Sequence, residues 1–131
     1  MYEFVVADFS TGHSEQRVTM PSRDAAIRFV SGLPARRCVI FVAHVTNHVD
    51  YGNFYAWCND DLAHVRLDEH REHYASDPLR ASSSSPPVQF QDEDGESFEV
   101  SPSQVISRAQ AMEALHCWLT SGSKLSSLSW S

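Results

Sequence analysis

EVSPSQVISRAQAMEALHCWLTSGSKLSSLSW, residues Glu99–Trp130, holds the densest local grammar in this 131-residue chain. Ser107 followed by Gln110 fits a capping box, in which the Ser hydroxyl takes the third helical N–H and the Gln amide reaches back to the cap. The spacing therefore predicts a helix starting at Arg108. Ala111, Met112, Leu115, Trp118 and Leu119 recur at helical intervals, drawing one apolar stripe over roughly three to four turns. Gly122 is placed to stop the helix in the left-handed conformation that glycine adopts at little cost. Cys117 lies on the flank of the stripe, a position for a packed thiol rather than a nucleophile. Leu125, Leu128 and Trp130 then punctuate a short polar tail, and a terminal indole there implies that the tail folds back. Trp118, Gly122 and Trp130 are accordingly expected to be structural, with Trp130 as a plug on the core.

Working outward, Cys38–Val45, CVIFVAHV, is the most β-prone run and belongs at the centre of a sheet. Asn53–Cys58 and Leu62–Asp68 read as strands around a tight turn at Asn59, Asp60 and Asp61. Val88–Gln91 and Ser97–Val100 read as a second hairpin around Asp92–Gly95. Near the start, Tyr2–Phe9 is an opening strand and Arg17–Met20 a short second one, joined through Thr11, Gly12 and His13. Ser22 then caps a helix from Arg23 to about Gly32, with Ala26, Ile27, Val30 and Leu33 as its stripe, Phe29 at its edge, and Gly32 with Pro34 as its stop. The stretch 76–87, SDPLRASSSSPP, reads as a mobile loop. Hairpins with a helix towards each end predict an α+β fold: a mostly antiparallel sheet with one helix in the N-terminal half and one at the C-terminus packed on one face. The length suits a single domain over residues 1–131.

Charge narrows the function. The chain is 42% hydrophobic and carries a formal charge of -7 with one lysine, Lys124, which argues against nucleic acid or anionic membrane as a ligand. Twelve of the seventeen acids but only three of the ten bases fall between Asp50 and Glu99, so that segment is net -9. Its acids sit in predicted turns and a loop among Tyr51, Tyr55, Trp57 and Tyr74. Acid mixed with aromatic is how a surface for a basic protein is built, charge steering encounter and rings anchoring the contact. Asp60, Asp61, Asp68, Glu69, Glu72, Tyr74, Asp92, Glu93 and Asp94 are the candidate contacts. MYEFVVADF carries Glu3 and Asp8 and does not read as an export signal, no apolar run approaches a membrane span, and Cys38, Cys58 and Cys117 form no C-x-x-C pair. A reducing cytoplasm is the expected compartment.

Seven histidines raise a metal site. His44 and His48 are four apart, His64 lies on another strand, and His70 and His73 bracket Glu72 beside Asp68. Yet no H-E-x-x-H is present, and H-x-x-x-H along a strand separates the imidazoles by more than about 10 Å. Asp68 and Glu69 are adjacent and would face opposite ways on a strand, so they do not make an acid/base pair. There is neither a G-x-S-x-G elbow nor a glycine-rich phosphate loop. The residues give no sign of an enzyme, a metal or a cofactor. The alternatives are a small metal-dependent hydrolase using His70 and His73, and an acidic adaptor for another basic protein.

Phe98, Glu99, Val100, Pro102, Val105, Ile106, Ala111, Ala114, Leu115, Trp118, Leu119, Gly122 and Trp130 together resemble the C-terminal third of immunity family one of bacterial polymorphic toxin systems, whose members end in a helix, a Gly-containing turn and a terminal Trp. Many members carry Pro where Leu125 stands here. The resemblance implies a cytoplasmic toxin inhibitor used in bacterial competition, binding a cognate basic toxin domain of deaminase or nuclease type as a monomer or in a 1:1 complex.

Overall fold

The computed structural model describes residues 1–10, 12–33, 37–46, 49–79 and 86–131, with 46 and 49–51 as backbone. In chain order it contains β1 (Tyr2–Asp8), β2 (Ser14–Met20), α1 (Arg23–Ser31), β3 (Arg37–Thr46), β4 (Val49–Asn59), β5 (Leu62–Asp68), β6 (Glu72–Ser76), β7 (Val88–Gln91), β8 (Ser97–Val100), β9 (Ile106–Ser107), α2 (Arg108–Ser121) and β10 (Ser129–Trp130). The main sheet runs β10-β6-β5-β4-β3-β1-β2 with β9 beside β5, while β7 and β8 pair separately. All the strand pairs are antiparallel. The architecture is α+β with a mostly antiparallel sheet. The readings made for Thr11, Pro34, His48 and 80–85 of the 76–87 loop lie outside the described residues, as do those for the Asp50 and Tyr51 side chains.

Strand alternation sorts the apolar residues into two sets. Phe4, Ile40, Val42, Phe54, Ala56, Val65 and Leu67 are buried in one core with Ala26 and Val30 of α1 and Ala111, Ala114, Leu115, Trp118 and Leu119 of α2. Ala7, Val39 and Trp57 have the opposite parity and pack with Phe90, Val100 and Val105. Each fully buried side chain of Leu or Phe size contributes about 1.5–3 kcal/mol, so the first set dominates stability.

Local chemistry sets the ends of the elements. Ser22 Oγ accepts the Ala25 N–H at 3.2 Å and caps α1. At α2, Ser107 Oγ accepts the Gln110 N–H at 3.0 Å and Gln110 Oε1 accepts the Ser107 N–H at 2.8 Å, completing the capping box. The Gln110 amide also donates to Asp77 Oδ2 at 2.9 Å, tying the chain after β6 to the helix. Gly122 ends α2 at φ 72. Asp60, at φ 51, turns β4 into β5 within two residues, a backbone region that Asp tolerates better than most.

Besides the unexpected two-residue strands β9 and β10, three longer elements differ from expectation. β2 begins at Ser14 because polar residues at a sheet edge still pair their backbones with β1. β4 begins at Val49, upstream of Gly52, whose φ of 140 interrupts the β-prone pattern. β6 forms where no strand was expected and includes Ser76, since Ala75 is buried and the strand is hydrogen-bonded between β5 and β10. In the tail, Leu128 enters the core, while half-buried Trp130 pairs with Ala75 at the sheet edge and donates its indole N–H to Leu125 O at 3.0 Å.

Candidate functional site

The second face of the sheet gathers the rings and ions. Register aligns Arg17, Val5, Phe41, Tyr55, Arg66 and Tyr74 in one row across β2, β1, β3, β4, β5 and β6. The rings follow one another in contact: Phe41 to Tyr55 at 4.7 Å between centroids, Tyr55 to Trp57 at 5.4 Å, Trp57 to His64 at 5.3 Å and His64 to Tyr74 at 5.3 Å. The β7–β8 hairpin covers one end of this ladder, setting Phe98 edge-on to Trp57 and Phe90 against His64. Beneath it the Trp57 Nε1 is buried without a hydrogen-bond partner among the described residues. Tyr55 and Trp57 lie on β4, within the strand read for Asn53–Cys58, whereas Tyr74 lies on β6, where no strand was expected; register aligns them.

Arg66 organises the centre. Its guanidinium carbon lies 4.3 Å from the Tyr55 ring centroid, a favourable cation–π placement. Arg66 Nη2 donates to Asp68 Oδ2 at 3.1 Å. Nε lies 3.0 Å from Asp68 Oδ1 but is not aligned for a hydrogen bond, so that second contact is Coulombic. Glu72 Oε1 approaches Nη1 at 3.6 Å, and Tyr74 donates its hydroxyl to Glu72 Oε2 at 3.0 Å. Burial opposes the charge on Arg66, but Asp68 and its hydrogen bond outweigh that and raise its pKa. Burial also raises the pKa of Tyr55, and of Tyr74 with help from the bond to Glu72.

Beside this cluster lies an open cleft of about 330 Å³. Val5, Phe41 and Tyr55 line it with Glu15 and Arg17 of β2 and with Glu93 and Asp94 from the β7–β8 turn. Arg17 pairs with Glu15 at 3.3 Å, its side chain 73% exposed.

The candidate contact residues thus divide. Asp68, Glu72 and Tyr74 join around Arg66, and Glu93 and Asp94 line the adjoining cleft. Asp92 serves the turn itself, its Oδ1 accepting the N–H groups of Asp94 at 3.0 Å and Glu96 at 2.9 Å. Glu69 leaves Asp68 and pairs with Lys124 at 3.7 Å. Asp60 and Asp61 sit in the exposed β4–β5 turn, at the opposite end of β5 from Asp68. Sequence reasoning missed Phe41 and the central place of Arg66; the available signal was parity, since Tyr55 and Trp57 alternate with buried Phe54, Ala56 and Cys58.

The histidines are dispersed. His44 stacks on Tyr2 at 4.6 Å, His64 is buried with Nδ1 3.0 Å from Gln104 O, and His70 lies in the exposed turn before β6. Among the described residues no three His, Cys, Asp or Glu side chains come together as a metal site. Cys38 and Cys58 face each other across β3 and β4 in the core. The hydrogen bond to Cys58, then burial, pushes the Cys38 thiol far up, so it stays protonated and unreactive. No helix among the described residues is long and apolar enough to cross a membrane. The chain matches no protein-family model and no curated protein sequence.

Proposed function

We propose that the chain is an immunity protein of a bacterial polymorphic toxin system, a non-catalytic cytoplasmic inhibitor that binds a cognate basic toxin domain. The toxin is a nuclease or deaminase, and the inhibitor occupies the cleft that would hold nucleic acid. One observation carries the reading: Asp68 and Glu72 sit with Phe41, Tyr55 and Tyr74 on one strand-held face, and Glu93 and Asp94 of the β7–β8 turn line the cleft beside it. A cleft built for a polyanion is lined with Lys and Arg, and a rigid acidic face carrying rings is complementary to it. The resemblance carried by residues 98–130 points to the same class.

The test is rescue. Co-expression in a bacterial host should abolish the toxicity of the C-terminal module of a toxin encoded beside this gene, and the two proteins should purify as a 1:1 complex. Association should exceed the ~10⁵–10⁶ M⁻¹s⁻¹ of neutral pairs and slow with salt, which screens beyond about 10 Å at 0.1 M. Reversing Glu93 and Asp94 to Lys should cut the association rate about tenfold, whereas Arg23→Glu with Arg28→Glu on α1 should leave it unchanged. No rescue, together with salt-insensitive association, would refute the reading. A basic partner that is not toxic would favour the acidic adaptor instead.

A further inference from the structure

We infer that the cleft between β2 and the β7–β8 turn receives an arginine side chain of the basic partner, its guanidinium lying over Phe41 between Glu93 and Asp94. This deepens the proposed function and rests on it for the identity of the partner. The cleft itself rests on geometry. The protein displays the same chemistry one ring away, where Arg66 lies 4.3 Å from the Tyr55 centroid and is held by Asp68 at 3.0 Å and Glu72 at 3.6 Å. On the other side of Tyr55, Phe41 continues the aromatic floor at 4.7 Å. There the cleft is open, about 330 Å³ in volume, and Glu93 and Asp94 stand over it.

Among the described residues Arg17 is the cation that lines the cleft, and it pairs with Glu15 rather than with Glu93 or Asp94. Its side chain is largely solvated. Glu93 and Asp94 make no ion pair among the described residues. The floor selects the occupant. A guanidinium is planar and weakly hydrated, so it stacks on a ring while its N–H groups reach carboxylates; an ammonium is compact and keeps its water. A phosphate is repelled by the same carboxylates. β-sheet register fixes the rings, and Asp92 braces the turn backbone that carries Glu93 and Asp94, so little backbone order has to be gained on binding.

The experiment uses N-acetyl-arginine amide as the probe, titrated into the ¹⁵N-labelled full chain, with N-acetyl-citrulline amide as the neutral analogue of the same shape and N-acetyl-lysine amide as the other cation. The arginine probe should shift the amides of Phe41, Tyr55, Glu93 and Asp94 saturably. Its dissociation constant should be several-fold lower than that of the lysine probe, and the citrulline probe should not saturate. Phe41→Leu, and separately Glu93→Gln with Asp94→Asn, should each raise the arginine constant about fivefold or more. Because Phe41 shares the aromatic ladder, the carboxamide pair is the control that keeps the test valid if Phe41→Leu folds poorly. Equal binding of citrulline, or shifts spread evenly over all acidic residues, would overturn the inference while leaving salt-steered toxin binding to be judged by its own rescue assay. Focal arginine binding with no toxin rescued would instead keep the cleft and refute the immunity reading. If the carboxamide pair binds the toxin with an unchanged off-rate, the partner does not use this cleft and the inference fails.

Discussion

On β4, Phe54, Ala56 and Cys58 enter the core they share with residues of α1 and α2, and Tyr55 and Trp57, one residue out of step, build the acidic face. The two faces share a backbone but answer to different physics. The first is dry and apolar, and its worth is the area it removes from water. The second keeps charge and rings at a half-wet surface, where a net contribution to folding is small and complementarity to a partner is the gain. Under the proposed function, stability and recognition are interleaved residue by residue, and single substitutions should separate them. Phe54→Ala, at a fully buried position, should cost about 3–5 kcal/mol in urea unfolding. Tyr55→Ala should cost less, about 1–2 kcal/mol, since Tyr55 is only partly buried, but should speed dissociation from the partner tenfold or more. Equal losses of stability would break the comparison and make both faces structural.

Gly52 is where the faces meet. Its φ is 140, and a Cβ placed there would lie 3.2 Å from the Asp68 carbonyl oxygen and 3.7 Å from Trp118 Cζ2. Neither neighbour yields freely: one is backbone at the end of β5, the other the buried indole of Trp118 on α2. Gly52→Ala should thus cost about 2 kcal/mol through strain and crowding. It should also displace Asp68 and loosen Arg66, read as a faster partner off-rate. A loss of stability with binding intact would mean that the acidic face is insulated from the core beneath it.

How far each face was legible follows from the same contrast. Capping residues and apolar periodicity are local signals, and they placed α1, α2 and the turns at Asp60 and Asp92–Gly95 close to their observed positions. β6 was illegible because EHYAS has one buried residue, Ala75, and owes its conformation to partners elsewhere in sequence. The candidate site was half legible: acids could be counted, but which of them meet depends on register. Asp68 and Glu69 are neighbours in sequence yet pair with Arg66 and Lys124 respectively. Phe41 was hidden inside the most apolar run of the chain, where only strand parity distinguishes it from Ile40 and Val42.

A smaller effect sharpens the reading of the turn. Asp92→Ala removes the acceptor of two backbone N–H groups and should lower stability by about 1 kcal/mol. Its neighbour in Glu93→Gln should be neutral for folding, because that carboxylate braces nothing in the turn. If Glu93→Gln destabilises the protein as Asp92→Ala does, Glu93 is structural and the cleft loses one of its two charges.

The least effect expected is the pH response of His64, which lies at the seam between the hairpin and the aromatic ladder. Burial, together with the nearby Arg66, holds its pKa below the ordinary histidine value, against the opposing pull of the bond to Gln104 O. Nδ1 must carry the proton to donate that bond, and the ring stacked between Trp57 and Tyr74 is neutral. The folded pKa being the lower one, His64 adds no pH dependence above about 6.5, where both folded and unfolded chains are neutral. As pH falls below about 6.5 the unfolded chain takes up the proton first, so stability declines until the folded-state pKa is passed, with a slope no steeper than about 1.4 kcal/mol per pH unit. Urea unfolding between pH 7 and 5 should therefore show a steeper decline in the wild type than in His64→Gln, which keeps the contribution of His73, whose pKa is lowered too. Stability that instead rises on acidification, relative to His64→Gln, would mean that the fold holds a charged imidazole beside Arg66. The acids of this face would then be partly neutralised from within, and fewer would remain to meet a basic partner.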